Sequence, residues 1–71
     1  MTETEALEVA AQIALDNGWP WLEPVQIVLK KSIFRSSKWA IRTNHDNLGC
    51  NICIEIDNDK GVVVKAVFLP R

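Results

Sequence analysis

Few residues of this sequence have the chemistry for catalysis or metal binding: Cys50 and Cys53, His45, Asp57 and Asp59. A Cys-x-x-Cys pair indicates thiol redox chemistry or half of a zinc site, for which His45 is the only plausible third ligand. Here the pair opens an alternating, strand-like segment, and an offset of three in a strand places two side chains on opposite faces. We therefore expect two ordinary cysteines, one in the core and one on the sheet surface. An activated thiol or a metal site stays an open alternative.

The other polar side chains form no catalytic constellation. A Cys–His nucleophile needs an activating geometry that nothing in the sequence requires of His45. Asp57 and Asp59 resemble the start of a calcium loop, but Val62 stands where such a loop has its glycine, so a turn is favoured. The sequence contains no glycine-rich phosphate loop and no serine-centred elbow. We expect a protein that is not an enzyme and that uses no metal or other cofactor.

Length and composition restrict the protein to one small globular domain over residues 1–71. The chain is 48% apolar and 24% charged, with a net charge of -1, which is too apolar and too weakly charged for disorder. Its apolar runs are shorter than the roughly 20 residues of a membrane span. Residues Met1 to Glu5 are acidic and unlike a secretory signal, so we expect a cytoplasmic protein with reduced cysteines.

Residues 3–17 are predicted to form a helix. Thr2 and Glu5 have the spacing of a capping box at its start, and Asn17-Gly18 is a typical helix end. All but a narrow polar stripe of this segment is apolar, with Leu7 and Ala10 near the middle of the apolar arc, so the helix should pack on the core.

A connector with two tryptophans, Trp19 and Trp21, follows the helix. Its glycine and two prolines exclude a regular element. The tryptophans form either a lid over the edge of the core or an exposed recognition tip. A small domain needs large apolar caps, which favours the lid. The connector is still a candidate part of the partner-binding surface.

From Val25 onward the apolar period changes to two, which predicts four strands. They are separated by a turn at Ser36-Ser37, a loop over residues 44–49 and a hairpin turn ending at Gly61, and Pro70 ends the last strand. Short connections favour antiparallel neighbours. The predicted fold class is therefore α+β: one N-terminal helix packed on a four-stranded antiparallel meander sheet.

Charged residues predict which side chains of the strands face the helix. Lys38 and Arg42 must reach solvent, which turns Trp39 and Ile41 inward. The same reasoning from Glu55 and Lys65 turns a further set inward: Ile52, Ile54, Ile56, Val62, Val64, Ala66 and Phe68. The opposite face then carries a second apolar set: Val28, Ala40, Cys53, Val63, Val67 and Leu69.

This second set makes the opposite face more apolar than a solvated sheet face usually is. Such patches often mark interaction surfaces, and symmetric self-association is their commonest use. We therefore predict a non-catalytic protein-interaction module, a homodimer through this face or a binder of another protein. The alternative is that these side chains are strand formers tolerated in water.

Basic residues cluster around the first predicted hairpin. Between Pro24 and Thr43 every charged residue is a base: Lys30, Lys31, Arg35, Lys38 and Arg42. With Phe34 and Trp39 interleaved, such strands can hold a nucleic-acid backbone, which is the alternative function. The acidic pI of about 5.7 favours a solvated basic face instead.

Four segments together resemble a known family. An alanine-rich helix ends in Asn17-Gly18, and the later segments are Lys38-Trp39-Ala40-Ile41, Cys53-Ile54-Glu55-Ile56-Asp57 and Gly61-Val62-Val63. This arrangement resembles PepSY-type and related cystatin-like small domains. The resemblance implies a largely non-catalytic protein that binds or inhibits partners, and it supplies no catalytic residues. Members of that group are mostly exported or membrane-linked, in contrast to the compartment expected above.

Overall fold

A computed structural model describes residues 1–31, 37–44 and 49–69. Within these ranges the chain forms one helix, α1 (Glu3–Asn17), and four strands, β1 (Gln26–Lys30), β2 (Lys38–Arg42), β3 (Asn51–Asp57) and β4 (Val63–Leu69). The strands make one antiparallel sheet in the order β1-β2-β3-β4. The predicted α+β class, one N-terminal helix with a four-stranded antiparallel meander, is confirmed.

Both ends of α1 are fixed by the residues that the sequence indicates. The Glu5 N–H donates to the Thr2 hydroxyl at 3.1 Å, and the Thr2 N–H donates to the Glu5 carboxylate at 2.9 Å, which completes a capping box. The bond from the Thr2 N–H lowers the pKa of Glu5 below its ordinary value. Gly18 ends the helix at a φ of 70°, where a residue without a Cβ is favoured.

A stripe of alanines packs α1 on the sheet. Ala6, Ala10 and Ala14 recur every four residues and are at most 1% exposed. The helix lies chiefly over the central strands β2 and β3, whose isoleucines complete the buried core: Ile41, Ile52, Ile54 and Ile56. Leu7, expected near the middle of the apolar arc, is instead half-buried beside this stripe. Because the alanine side chains have only one carbon, the backbone of α1 can lie close to the sheet. The alanine stripe therefore determines how the helix and the sheet are placed against each other.

The connector tryptophans form a lid, as the sequence favours. Trp19 and Trp21 are both half-buried and pack against the core. The Trp19 ring stacks on Phe68 of β4, with the ring centroids 5.8 Å apart and the planes 17° from parallel. Trp19 therefore caps the core, and its predicted role in partner binding stays a prediction.

The pairing of β4 with β3 shifts near the start of β4. Ile54 lies opposite Ala66, as the alternation predicts, but Ile56 lies opposite Val63 because the register changes between Glu55 and Ile56. Such a β-bulge sets one extra residue against its partner strand and changes which side chains share a face. The alternation of inward and outward side chains is therefore interrupted at the first residues of β4.

The bulge changes the burial of three consecutive valines. Val63 packs against the core, whereas Val62 is 54% exposed and Val64 is 51% exposed. The prediction that Val63 faces outward is wrong, and so is the prediction that Val62 and Val64 belong to the core. The prediction assumed that inward and outward side chains alternate strictly along β4, but the bulge adds one residue to this strand.

The turn between β3 and β4 is formed by the residues from which it is predicted. The Asp57 carboxylate accepts hydrogen bonds from the N–H groups of Asp59 and Lys60, both at 2.9 Å, and Gly61 has a φ of 67°. These bonds favour the turn over a calcium loop. Other predicted features lie outside the described residues: Ser36, residues 45–48 with His45, and Pro70.

The corrected orientation of β4 predicts different costs for two neighbouring truncations. Val63→Ala removes methyl groups that pack on the core and should lower the free energy of unfolding by about 1 kcal/mol or more. Val64→Ala should change it by less than about 0.5 kcal/mol, because Val64 is half exposed. Urea denaturation of both variants measures the difference, and a larger loss for Val64→Ala would contradict the bulge.

Candidate interaction surface

The face of the sheet turned away from α1 is called the outer face. The strand register places three rows of side chains across it: Val28, Ala40, Glu55 and Lys65; Gln26, Arg42, Cys53 and Val67; Lys30, Lys38 and Asp57. Leu69 of β4 adds a further apolar side chain near one end. Among the described elements only α1 packs on the sheet, and it lies on the other side. None of the described elements therefore covers the outer face.

The apolar side chains of this face are those that the alternation places there, with one exception. Val28 is 45% exposed and Leu69 is 44% exposed, while Ala40, Cys53 and Val67 are half-buried by their neighbours. Their position on the outer face is confirmed, and their role in binding a partner stays a prediction. Val63 is the exception, since it belongs to the core.

A shallow depression of about 260 Å³ occupies the middle of the outer face. The apolar side chains that line it are Val28, Ala40 and Cys53, and its charged side chains include Lys30, Arg42, Lys65 and Glu55. This volume lies below the roughly 300–1,000 Å³ of typical small-molecule pockets. The shape suits contact with another surface better than enclosure of a substrate.

The outer face has an excess of positive charge. It carries four bases, Lys30, Lys38, Arg42 and Lys65, against two acids, Glu55 and Asp57. Lys38 forms an ion pair with Glu55, with the Lys38 Nζ 3.7 Å from Oε1, and the Asp57 carboxylate is engaged by the turn. Lys30, Arg42 and Lys65 therefore present cationic groups without an ion-pair partner among the residues that the structure describes.

Of the six exposed acids among the described residues, Asp59 lies in the turn between β3 and β4 and the other five lie on the helix side of the molecule. These five are Glu3, Glu5, Glu8 and Asp16 of α1, together with Glu23 of the connector. Glu8 and Glu23 border the same groove beside α1. Every charged residue from Met1 to Glu23 is an acid, and every charged residue from Pro24 to Thr43 is a base. The fold places the first group on the helix side and most of the second group on the sheet side.

The residues predicted for nucleic-acid binding are only partly brought together. Lys30, Lys38 and Arg42 share the outer face, and Lys31 is exposed just after β1. Trp39 points to the opposite side of the sheet, packs against the core and donates its indole N–H to the Asn58 side chain at 2.7 Å. The aromatic residue expected among these bases is therefore not on the basic face.

Two other residues of that prediction, Phe34 and Arg35, lie outside the described residues. The outer face as described carries no aromatic ring on which a base could stack. Base stacking is a large part of single-strand recognition. The described bases could therefore contact phosphates without this additional interaction.

The cysteines occupy different environments. Cys53 lies on the outer face, opposite Arg42 and Val67, whereas Cys50 precedes β3 with a positive φ of 53°. Both are free thiols. Within the described ranges no three His, Cys, Asp or Glu side chains are grouped as a metal site would require, and His45 lies outside these ranges.

A buried polar cluster joins β2 to β3, which sequence reasoning missed. Thr43 is 0% and Asn51 is 3% exposed. The Thr43 hydroxyl accepts from the Ile52 N–H at 3.0 Å, and the Asn51 amide donates to the carbonyls of Thr43 and Asn44, both at 2.9 Å. These bonds close the loop between the strands, so the cluster has a structural role.

A second groove, of about 370 Å³, runs beside α1. Its apolar lining comes from Leu7, Ala11, Trp21 and Val25. Its polar lining comes from Thr4, Glu8 and Glu23. Trp21 thus keeps a partly accessible edge while it packs on the core. Its predicted role in partner binding stays a prediction.

Comparisons of the chain with protein-family models, with curated proteins and with solved structures give no match. Across the described ranges, no helix reaches both the length and the hydropathy that crossing a lipid bilayer requires.

The buried polar cluster generates a stability prediction. Asn51→Ala removes the amide that satisfies two carbonyls, and an unsatisfied buried group costs about 1–3 kcal/mol, so the free energy of unfolding should fall by about that amount. Gln26→Ala, at an exposed position of β1, is the matched control and should change it by less than about 0.5 kcal/mol. Chemical denaturation compares the two. Equal effects would show that the Asn51 bonds contribute nothing.

Proposed function

We propose that this protein is a non-catalytic protein-binding module that uses the outer face of its sheet. The observation that carries the proposal is the open apolar set Val28, Ala40, Cys53, Val67 and Leu69, which α1 leaves uncovered and which cationic side chains frame. Apolar side chains with a polar rim are typical of protein interaction sites.

The charge of the outer face favours one kind of partner. Two copies packed through this face would bring the same excess of bases together, and like charges across an interface are unfavourable. Self-association through the outer face, expected from the sequence, is therefore the less favoured arrangement. We propose an acidic protein segment with apolar side chains. Its carboxylates would pair with Lys30, Arg42 and Lys65, and its apolar groups would pack on Val28 and Ala40.

Nucleic acid is the second candidate, and one observation favours it: three of the predicted bases, Lys30, Lys38 and Arg42, meet on one face. Phosphate contacts made by these side chains would weaken steeply as salt is added. Fluorescence anisotropy of labelled single-stranded RNA and DNA, measured at low and at physiological ionic strength, tests this function. Absence of binding at low ionic strength would exclude it.

Affinity capture with matched variants tests the proposed function. Immobilised wild-type protein should retain an acidic protein from native lysate. Val28→Glu and Arg42→Glu should lose most of it, because each places a carboxylate against the acidic partner. Leu15→Glu is the control, since Leu15 is 73% exposed on α1 at the opposite side of the molecule. Intact-mass spectrometry of the eluates identifies the partner and its stoichiometry.

The outcomes of this capture separate the alternatives. Retention by the wild type and Leu15→Glu, together with loss in both outer-face variants, supports the proposal. Equal retention by all four proteins would place the site elsewhere, and a basic partner would contradict the proposed electrostatics. If the eluate holds nucleic acid, the second candidate is favoured instead.

A further inference from the structure

β4 is an edge strand with an open side. In the order β1-β2-β3-β4 it has a neighbour only at β3, so about half of its backbone N–H and C=O groups point away from the sheet. Unpaired groups of this kind are a template for pairing with another strand. The sequence of β4, Val63–Leu69, contains a single charged residue, Lys65.

The other edge of the sheet has more of the features that discourage such pairing. β1 is five residues long, against seven for β4. It is preceded closely by Pro24, and its last residue, Lys30, is followed by Lys31. Short length, proline and lysine are common ways in which proteins protect an edge strand. β4 has Lys65, a bulge at its start and Pro70 directly after it in the sequence, but it is two residues longer than β1 and has no lysine at its end.

The helix side of β4 is partly uncovered between Val63 and Phe68, which pack against the core. Ala66 lies opposite the buried Ile54 and on the same side of the sheet as α1, yet Ala66 is exposed. Val64 is 51% exposed. The cause is the position of α1, which lies over β2 and β3 and leaves the outermost strand partly open. The edge of β4 thus offers both free backbone groups and apolar side chains.

We infer that β4 pairs with β4 of a second copy, antiparallel, with Ala66 on the two-fold axis. Ala66 is the central residue of Val63–Leu69, so pairing about it gives the longest overlap of two identical strands. We propose a second copy as the partner because β4 can play both parts: its edge is free to pair, and it is itself an apolar strand with a single charge that could pair with such an edge. In such a two-fold dimer the free backbone groups of the two β4 strands form hydrogen bonds with each other, so neither copy keeps an open β4 edge.

The side chains are compatible with this register. Val64 would face the partner's Phe68, and Lys65 would face the partner's Val67. The two Lys65 side chains are therefore offset and do not stand directly opposite one another, where like charges destabilise a strand pair. Ala66 would face its own copy across the axis, where its single methyl group leaves room for close approach.

This association is separate from the proposed function. A two-fold axis normal to the sheet keeps both helices on one side and joins the two outer faces on the other. The result is a continuous eight-stranded sheet, built from two sheets of four. The outer face stays free for its own partner, so variants of the edge and variants of the outer face report on different interfaces.

A charge-exchange experiment tests the edge dimer. Sedimentation equilibrium of the wild type should give twice the chain mass of 8.0 kDa at high protein concentration. Ala66→Lys and Ala66→Glu, each alone, place like charges across the axis and should raise the dimer Kd about tenfold or more. An equimolar mixture of the two variants should recover the dimer. Val62→Lys, before β4, and Val28→Glu, on the outer face, should dimerise as the wild type does.

Amide hydrogen exchange supplies a readout that needs no variant. Exchange in Val64–Phe68 of the wild type should slow as protein concentration rises, whereas exchange in β1 should not change. A wild type that stays monomeric would overturn the proposal and would leave the edge to a strand from another protein. A dimer lost in Val28→Glu but kept in both Ala66 variants would overturn it in favour of the outer face.

Discussion

The close contact between the alanine stripe of α1 and the isoleucines of β2 and β3 determines the rest of this structure. Ala6, Ala10 and Ala14 are all buried against this layer. A helix is about 10 Å wide and strands are about 4.8 Å apart, so one helix can cover roughly two strands. The sheet has four. A single helix therefore leaves the outer strands partly uncovered on its own side and the whole outer face open.

The chain covers only part of the remaining surface. Trp19 stacks on Phe68 and closes one end of the core beside β4, and Trp21 packs against the core. No residue of the described ranges covers the outer face in this way, and its apolar side chains lie among Lys30, Arg42 and Lys65. Because most of the exposed acids lie on the helix side and most of the outer-face charges are basic, the two sides of the molecule differ in charge. The protein-binding role proposed for the outer face follows from this division.

Local signals in the sequence predicted most of the fold. The capping box of Thr2 and Glu5, the helix end at Gly18 and the turn at Gly61 are short-range patterns that act through backbone hydrogen bonds, and all three are present. The bulge in β4 was not predictable, because one extra residue in a run of valines has no compositional signature. Its consequence is that Val63 packs on the core and Val64 is half exposed.

The burial of Asn51 was also missed, since an amide at the start of an alternating strand is usually solvated. Loop closure between β2 and β3 buries it through hydrogen bonds to Thr43 and Asn44, and those bonds depend on the conformation of the loop, which the residue types alone do not determine. The alternation of residues along the strands identified the side chains of the outer face. It did not give the balance between positive and negative charges on that face. That balance depends on the register that brings Lys65 beside Glu55 and Arg42 beside Cys53.

The central claim is that one helix covers one side of the sheet and leaves the other side accessible. Paramagnetic relaxation by a soluble gadolinium chelate, measured on methyl groups at low protein concentration, tests it most directly. The methyl groups of Val28, Ala40 and Val67 should relax strongly, while those of Ala10, Ile41 and Ile54 should be protected. Strong protection of Val28 and Val67 in the dilute monomer would contradict the account, because it would mean that the chain itself covers the outer face.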